Sequence, residues 1–501
     1  MNLILIFSEP VHVTKSRAVL ITLSRPHLKR FMAVSTGPFS FPFLGYYGQG
    51  RLINKLLHKE FETLGTKYGN IIFFKLFMDQ PVLVVRGYDL VKEATSSRAF
   101  SGVGQPLMFR EAALHRRLGL IFSDGDNWGQ MRRFTVRALQ EQGFGRSRRS
   151  DNINSELGEV LARLSAAADG GGGVHVRHLF TAPAANSLLQ LVLGEKMPGD
   201  GRLQRALYLV DRNTAAFSPS YLHLELFPWL RLVAPRASGF LELRQSILEL
   251  VHLFDPQIER HKSALDDAKH HGPPSDLVEA FLRKQSDSAP PHAFSNDNLR
   301  VLLRDLFVAG MDTASTVMEW VVMMLVQHPE AQERAAAEVE EVIGRDRAPS
   351  IDDMQMLPYV DAFIEETMRM NPVLPVIQHS TTFGAARLGG HHVPANCRVI
   401  FDFRSVMHER SFWGDPEQFR PERFLGPDGP RLRGRMSAFG MGLRRCIGET
   451  HARQVLFLFT AGILQRFRLE CVDVGRRETG GDELSLVLKP PDIVVTVERR
   501  G

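Results

Sequence analysis

The chain has 501 residues, 44% of them hydrophobic and 23% charged, and this composition excludes a disordered or a fibrous protein. The net charge of +5, from 61 Lys and Arg against 56 Asp and Glu, is small for this length, so we expect no nucleic-acid partner. Three cysteines are too few for a disulfide framework or a cysteine-rich zinc site, which favours a reducing compartment.

Residues 1–36 form a basic leader in which Glu9 is the only acidic residue. No run in this leader approaches the about 20 apolar residues that a membrane-spanning helix needs. A mitochondrial transit segment, a weak membrane anchor and a wrongly assigned start all fit this composition. Because no long linker follows, we predict a leader at residues 1–36 and one catalytic domain at residues 37–501.

Regular patterning follows Gly37 and is mostly helical. Helices are predicted at residues 51–68, from residue 88, at 295–328 and from residue 449. Strands are predicted at residues 71–77, 81–85, 399–402, 484–488 and 493–497, the last two joined as a hairpin by a Pro-Pro turn. The predicted fold class is therefore mainly α with minor β.

The central helix carries the first candidate site, Ala309-Gly310-Met311-Asp312-Thr313. Ser295 is a suitable cap, and His328-Pro329 ends the apolar pattern. Gly310 removes a side chain where a bulky group could approach, and Thr313 can donate a hydrogen bond to the carbonyl of Ala309. An ordinary buried helix with a back-bonded threonine explains this pentapeptide equally well.

Glu366 and Arg369 form the second candidate feature, because a spacing of three residues puts both side chains on one helix face. For an isolated pair of this kind, a weak surface ion pair is the usual explanation. Downstream, Arg423 offers a second guanidinium that could bind Glu366 and lock the helix to a loop.

The third feature is the loop at residues 439–448 around Cys446. Gly440, Gly442 and Gly448 allow tight turns around the sulfur, and amides at the start of the following helix favour a thiolate. A metal bound by one cysteine is neither a cysteine-rich zinc site nor an iron–sulfur site, which leaves ligation of haem by a single thiolate as the natural interpretation.

The pattern Phe-x-x-Gly-x-Arg-x-Cys-x-Gly in this loop resembles the haem-binding loop of the cytochrome P450 superfamily. Three further motifs stand in the order and spacing of that family: Ala-Gly-x-Asp-Thr at 309–313, Glu-x-x-Arg at 366–369 and Pro-Glu-Arg-Phe at 421–424. The resemblance covers about residues 37–500. It implies the P450 fold, with a long central helix over the haem and small β-sheets at one side.

The resemblance implies that Cys446 is the metal ligand to haem b and that Phe439 shields its sulfur. The other residues implied to contact the cofactor are Gly440, Gly442, Gly448, Ala309, Gly310, Arg444, Trp128, Arg132 and His379. Among these, the arginines, Trp128 and His379 are implied to pair with the haem propionates. Thr313 and Asp312 resemble the proton-delivery pair of the family, and Glu366, Arg369 and Arg423 would be structural.

The implied reaction inserts one oxygen atom from O2 into a lipophilic substrate such as a steroid, a terpenoid, a fatty acid or a xenobiotic. The chain has no convincing glycine-rich nucleotide-binding turn, so electrons from NADPH would come through a flavoprotein reductase. Arginines around Arg132 and Arg444 suit an acidic electron donor. Residues 122–134 resemble animal microsomal forms, which implies a membrane surface at the cytoplasmic face of the endoplasmic reticulum; the alternative is the mitochondrion.

Two other functions remain open from sequence. A haem-thiolate isomerase or dehydratase would rearrange a peroxide without a reductase, but Asp312 and Thr313 argue against it. A non-catalytic haem-binding protein would consume no NADPH. Segments expected to contact substrate are residues 103–118, 215–229, the helix near Ala309 and residues 484–487.

Overall fold

The longest helix, at residues Asn296–Gln327, begins and ends where the sequence predicts. The Ser295 side chain accepts a hydrogen bond from the Asn298 N–H and so caps the first turn. Pro329 lacks an N–H and starts the next helix instead. Among the described residues this is the one helix long and apolar enough to cross a membrane, and 67% of its most apolar stretch is buried within the protein. It is therefore a core helix.

The computed structural model describes residues 37–40, 45–46, 57–76, 80–104, 106–142, 150–197, 201–215, 222–267, 272–287, 292–474 and 487–500. The α-helices are α1 Leu57–Tyr68, α2 Tyr88–Ser96, α3 Leu107–Ala112, α4 Gly125–Glu141, α5 Ser150–Gly170, α6 Thr181–Val192, α7 Arg202–Ala215, α8 Leu222–Leu226, α9 Leu230–Val233, α10 Phe240–Val251, α11 Asp255–Asp267, α12 Leu277–Asp287, α13 Asn296–Gln327, α14 Pro329–Val342, α15 Pro358–Met370, α16 Phe403–Met407, α17 Arg410–Trp413, α18 Gly429–Arg433 and α19 Glu449–Arg466. The mainly α fold class is confirmed. The leader predicted at residues 1–36 lies outside the described residues.

The strands are short and belong to three small sheets. They are β1 Ile71–Lys75, β2 Pro81–Arg86, β3 Gly102–Val103, β4 Val174–His175, β5 Val376–Thr381, β6 Ala386–Leu388, β7 His391–Val393, β8 Arg398–Asp402, β9 Phe467–Val474 and β10 Ile493–Arg499. The five-stranded sheet has the order β1-β2-β8-β5-β3, and β2 runs parallel to β8, with Val82 opposite Arg398. An ion pair of 2.8 Å between Arg86 Nε and Asp402 Oδ2 joins the far end of these two strands.

The predicted C-terminal hairpin is wrong in its pairing. The strand β10 pairs antiparallel with β9, so that Val497 lies opposite Leu469. Residues 487–492 form an irregular loop, and residues 484–486 lie outside the described residues. The strand β9, absent from our prediction, alternates buried Phe467 with exposed Arg468 directly after α19. No glycine or proline marks this change from helix to strand, which is why the helical pattern conceals it.

Two hydrophobic cores share the helix α13. Its first half, including Leu302 and Phe307, packs with α6, α7 and α12, whereas its second half, including Val321, packs with α5, α15 and α19. The helix α13 therefore contributes buried residues to both cores. The pentapeptide at residues 309–313 lies where the first core gives way to the second.

Glu366, Arg369 and Arg423 form a buried cluster that ties α15 to the loop after α17. Arg369 Nε lies 2.7 Å from Glu366 Oε2, and Arg423 Nε lies 2.9 Å from Glu366 Oε1. The remaining donors of Arg369 bind the carbonyls of Met407, at 2.9 Å, and Pro416, at 2.8 Å. Glu366 and Arg369 are fully buried. The two guanidiniums thus have a carboxylate and several carbonyls as partners.

Candidate active site

The loop that carries Cys446 turns twice in the left-handed backbone region. Gly440 has φ of 73° and Gly442 has φ of 66°, conformations that L side chains rarely adopt. A Cβ at position 442 would also lie 2.2 Å from the Thr95 carbonyl oxygen of α2. The loop then closes with a hydrogen bond of 2.9 Å from the Cys446 N–H to the Phe439 carbonyl.

Gly448 plays a different part from the one predicted. Its φ of −86° is open to any residue, so it is not needed for a tight turn. A Cβ built on it would lie 3.7 Å from Cys446 Sγ, and its N–H donates a hydrogen bond toward the sulfur. Gly448 therefore keeps the space beside the sulfur clear.

Cys446 has accessible surface, yet burial raises the pKa of its thiol. These two observations fit a side chain that is surrounded by protein and still reached by solvent. The Gly448 N–H and the charges of Arg132 and Arg445 act in the opposite direction on this pKa, but burial outweighs them. The Gly448 amide thus favours the thiolate, as expected, but its effect is smaller than that of burial. A bound metal ion is what deprotonates such a thiol.

Arg444, Trp128 and Arg132 converge beside this loop. The Arg444 guanidinium lies 4.4 Å from the centroid of the Trp128 ring, and the Arg132 guanidinium lies 5.7 Å from it. Arg444 donates to the carbonyls of Ser101, at 2.8 Å, and Ser123, at 2.7 Å. Arg132 donates to the Arg445 carbonyl at 2.6 Å.

These two guanidiniums carry charge that the surrounding protein does not neutralise. Within the described part of the chain, no carboxylate comes within 4 Å of Arg132 or Arg444. Burial lowers the pKa of Arg444 to about 10, and it lowers that of Arg132 as well. Arg444 has only a longer-range interaction with the Asp124 carboxylate, so these two partly desolvated cations can bind a further carboxylate. The donor set therefore fits the propionates of a haem, and the Cys446 sulfur is the candidate thiolate ligand.

Phe439 and the arginines near this loop have partners within the protein. The Arg453 guanidinium lies 5.0 Å from the centroid of the Phe439 ring. Exposed Arg445 pairs with Glu449 at 2.7 Å. Three arginines that precede this loop in the chain also have carboxylate partners: Asp428 for Arg431, Asp361 for Arg433 and Glu409 for Arg435. The side chain of His379 lies outside the described residues.

Ala309 and Thr313 lie at a solvent-accessible part of α13. The Thr313 hydroxyl donates a hydrogen bond of 2.6 Å to the Ala309 carbonyl. Ala309 is exposed, although Leu306 and Met311 on the same helix are buried. A hydroxyl that binds its own helix in this way opens the helix locally. The helix therefore presents a small residue and a polar hydroxyl at one accessible spot.

Gly310 does not face that spot. A Cβ at position 310 would lie 2.4 Å from Leu188 Cδ2 of α6, well inside van der Waals contact. The missing side chain thus lets α6 pack closely on α13. The prediction that Gly310 makes room for a cofactor is wrong in direction, because the bulky group that approaches is a leucine.

Asp312 has a partner that sequence analysis missed. Lys489 Nζ lies 3.2 Å from Asp312 Oδ1, and both side chains are largely buried, at 14% and 13% exposure. Lys489 belongs to the loop at residues 487–492. No local pattern links positions 312 and 489, which only the fold brings together.

Two of the predicted substrate segments meet in one apolar cluster. Val103 and Phe109 pack there with Leu224 of α8 and Leu243 of α10. Residues 216–221 and 484–486 lie outside the described residues. The described parts of residues 103–118 and 215–229 are therefore neighbours, as expected of one binding surface.

Comparison with known proteins agrees with this geometry. A family model described as Cytochrome P450 matches residues 36–497. Farnesoate epoxidase of Bombyx mori is 32% identical over 453 residues, which are 89% of this chain and 90% of that protein. Probable cytochrome P450 305a1 of Drosophila melanogaster is 30% identical over 82% of this chain and 81% of its own length, and cytochrome P450 2B4 of Oryctolagus cuniculus is 29% identical over 92% and 94%. The chain therefore belongs to the cytochrome P450 family and is a haem-thiolate monooxygenase that acts on a small molecule with a redox partner.

Proposed function

We propose that this monooxygenase inserts one oxygen atom from O2 into a lipophilic substrate, with an isoprenoid acid or its ester as the first candidate. The observation that carries this proposal is the exposed step at Ala309 and Thr313 in a mostly buried helix. The likeness to a farnesoate epoxidase over nine-tenths of both chains supports the isoprenoid class. A steroid, a fatty acid or a xenobiotic would use the same apolar surface.

Cys446 would ligate the iron of haem b, and Arg444, Trp128 and Arg132 would hold its propionates. The bound haem supplies the activation of O2, with electron density donated by the thiolate. The protein supplies position: Gly440 and Gly442 set the loop, while Arg444 is fixed by the carbonyls of Ser101 and Ser123.

Thr313 and Asp312 would deliver the protons that the reaction consumes. For each substrate oxidised, NADPH, one proton and O2 give the oxygenated product, NADP⁺ and water. The Thr313 hydroxyl is accessible at the exposed step, and Asp312 precedes it on the same helix. A hydroxyl and a carboxylate at this spacing can pass a proton from the protein to the reacting centre.

A membrane surface and a flavoprotein reductase complete the proposal. Exposed apolar side chains cluster at α8 and α9, where Phe227 is 42%, Trp229 56%, Leu232 76% and Val233 69% exposed. Arg231 lies among them. An aromatic and aliphatic patch with a basic residue suits the interface of a membrane with anionic lipids. We propose the cytoplasmic face of the endoplasmic reticulum, with the mitochondrion as the alternative, and NADPH as the electron source through the reductase.

The experiment compares carbon monoxide difference spectra of the reduced protein and of two matched variants. The wild-type chain is expected to show the red-shifted band of thiolate ligation, Cys446→Ser to lose it, and Cys471→Ser, an exposed cysteine on β9, to keep it. A histidine-type band in the wild-type chain would exclude the proposed ligand.

The substrate class is tested by reconstitution with NADPH and a flavoprotein reductase. Farnesoate, a steroid and a fatty acid are offered separately, and NADPH consumption is compared with oxygenated product. We expect product from farnesoate and loss of coupling in Thr313→Ala. Coupled oxidation of the steroid or the fatty acid alone would replace the isoprenoid assignment, and full coupling in Thr313→Ala would contradict its proposed role.

A further inference from the structure

The loop at residues 487–492 contacts α13 at two points. The Trp320 Nε1–H donates to the Leu488 carbonyl at 2.8 Å, and Lys489 Nζ lies 3.2 Å from Asp312 Oδ1. A third contact comes from Arg177, between β4 and α6, which donates to the Pro490 carbonyl at 3.2 Å. Two of these contacts involve backbone carbonyls. Only the Lys489 contact is made to a carboxylate at the candidate site.

The surroundings of Lys489 keep it cationic. Burial opposes its charge, but the carboxylates of Asp312, Asp211 and Glu319 raise the pKa of Lys489 above its ordinary value. Asp312 and Glu319 are seven residues apart on α13, two helical turns, and therefore lie on one face. Lys489 interacts with both of them. A fixed ammonium thus faces the carboxylates on this side of the helix.

We propose that Lys489 is a positioning residue for proton delivery: its ammonium holds the Asp312 carboxylate in one orientation relative to Thr313. This inference rests on the proposed role of Asp312 and Thr313. A carboxylate with a free rotamer would spend part of its time turned away from the hydroxyl, and misplacement of a proton donor lowers its effectiveness. The ion pair removes that freedom, and because it is largely buried it is little screened by solvent.

The test measures the coupling ratio, oxygenated product per NADPH consumed, in the reconstituted full-length haem protein with its best substrate. We expect Lys489→Met to lower the ratio about fivefold, with more hydrogen peroxide and an unchanged spectral dissociation constant for substrate. Lys489→Arg should restore most of the coupling because it keeps the cation. Arg177→Gln, which loses a contact to the same loop but does not touch Asp312, should behave like the wild type.

A double variant separates this inference from the proposed function. If Lys489 acts through Asp312, then Lys489→Met combined with Asp312→Asn should couple no worse than Asp312→Asn alone. Full coupling in Lys489→Met, while Asp312→Asn is uncoupled, would overturn the inference and leave the proposed function standing. Full coupling in both Asp312→Asn and Thr313→Ala would overturn the proposed function and the inference with it.

A chemical readout needs no turnover. Acylation of lysines by an N-hydroxysuccinimide ester, followed by peptide mass spectrometry, reports the free amine. Lys489 should be protected in the wild type and labelled several-fold faster in Asp312→Asn, whereas Thr313→Ala should leave it protected. Lys196, which pairs with Glu156 at 2.6 Å, is the internal reference. Equal labelling of Lys489 in the wild type and in Asp312→Asn would show that the pair does not hold in solution, and the inference would fail.

Discussion

Two arginine clusters of this protein differ in what neutralises them. Around α15, Arg369 and Arg423 share the Glu366 carboxylate, Arg423 also pairs with Asp415, and carbonyls bind their other donors. Beside Cys446, Arg444 and Arg132 have carbonyls and the Trp128 ring but no carboxylate within 4 Å among the described residues. The first cluster is electrically complete and stabilises the fold. The second is incomplete, which is the property of a site that binds an anionic group.

The largest effect is expected when the complete cluster is broken. Glu366→Gln would leave buried Arg369 without a carboxylate partner and Arg423 with only the Asp415 carboxylate, at a cost of about 3 to 5 kcal/mol in the free energy of unfolding. Urea unfolding and the yield of soluble protein measure this loss. A stable variant with normal haem content would show that the carbonyls suffice and that the contrast between the clusters is unfounded.

Substitution of an arginine in the incomplete cluster should instead lower the affinity of the protein for haem. Arg444→Leu is expected to weaken haem binding by about 2 to 3 kcal/mol, roughly 30- to 160-fold, because a charge-assisted contact to a carboxylate is lost. Titration of the apoprotein with haem measures the change. The matched control is Arg445→Leu, an exposed arginine paired with Glu449, which should bind haem like the wild type. Equal losses in both variants would contradict a specific role for Arg444.

Glu319, a buried carboxylate outside both clusters, sharpens the comparison. Glu319 accepts a hydrogen bond of 3.0 Å from the His178 N–H, with Lys489 and Arg177 as more distant cations, and burial raises its pKa to about 7. The folded chain then holds a proton that the unfolded chain releases from about pH 4.5 upward, so stability falls as the pH rises toward 7.

Glu319→Gln should remove this pH dependence. We expect the variant to be about 2 kcal/mol more stable than the wild type at pH 8 and nearly equal to it at pH 5. Urea unfolding at both values provides the measurement. A difference of the same size at both pH values would mean that packing, and not ionisation, causes the change.

The smallest effect is expected at an exposed pair close to the complete cluster. Arg410 lies 2.7 Å from Glu417, and their side chains are 70% and 63% exposed. Arg410→Gln should change the free energy of unfolding by about 0.5 kcal/mol or less, since solvent screens such a pair. A loss comparable to that of Glu366→Gln would show that position in the fold, and not burial, decides the strength of these ion pairs.

Local signals were enough to predict the elements whose ends are marked by specific residues. Ser295 and Pro329 fix the ends of α13, and the apolar run at residues 81–85 predicts a strand. The strand β9 was missed because the chain passes from helix to strand at Phe467 without a turn residue. Its pairing with β10 is a property of the fold and has no local signature.

In the candidate site, too, local signals predict some features, whereas others depend on the fold. The motifs and their order along the chain indicate Cys446, Arg444 and Thr313 as site residues. The residues next to them in the chain follow from local backbone geometry. The direction in which Gly310 faces depends on Leu188, and the partner of Asp312 is 177 positions away at Lys489. Neither could be read from spacing, because helix-to-helix packing and loop docking join residues that are distant along the chain.

The parallel pairing of β2 with β8 has a consequence for biosynthesis. The strand β2 ends at Arg86, and its partner begins at Arg398, so more than 300 residues must leave the ribosome before the two can meet. Until then the apolar run Val82–Val85 has one open edge, which is prone to pairing with other chains. Trp128 and Arg444 are separated just as widely along the chain. A nascent chain therefore cannot assemble the five-stranded sheet or the cofactor cradle until its last quarter is made, and we expect chaperones to protect this edge during translation.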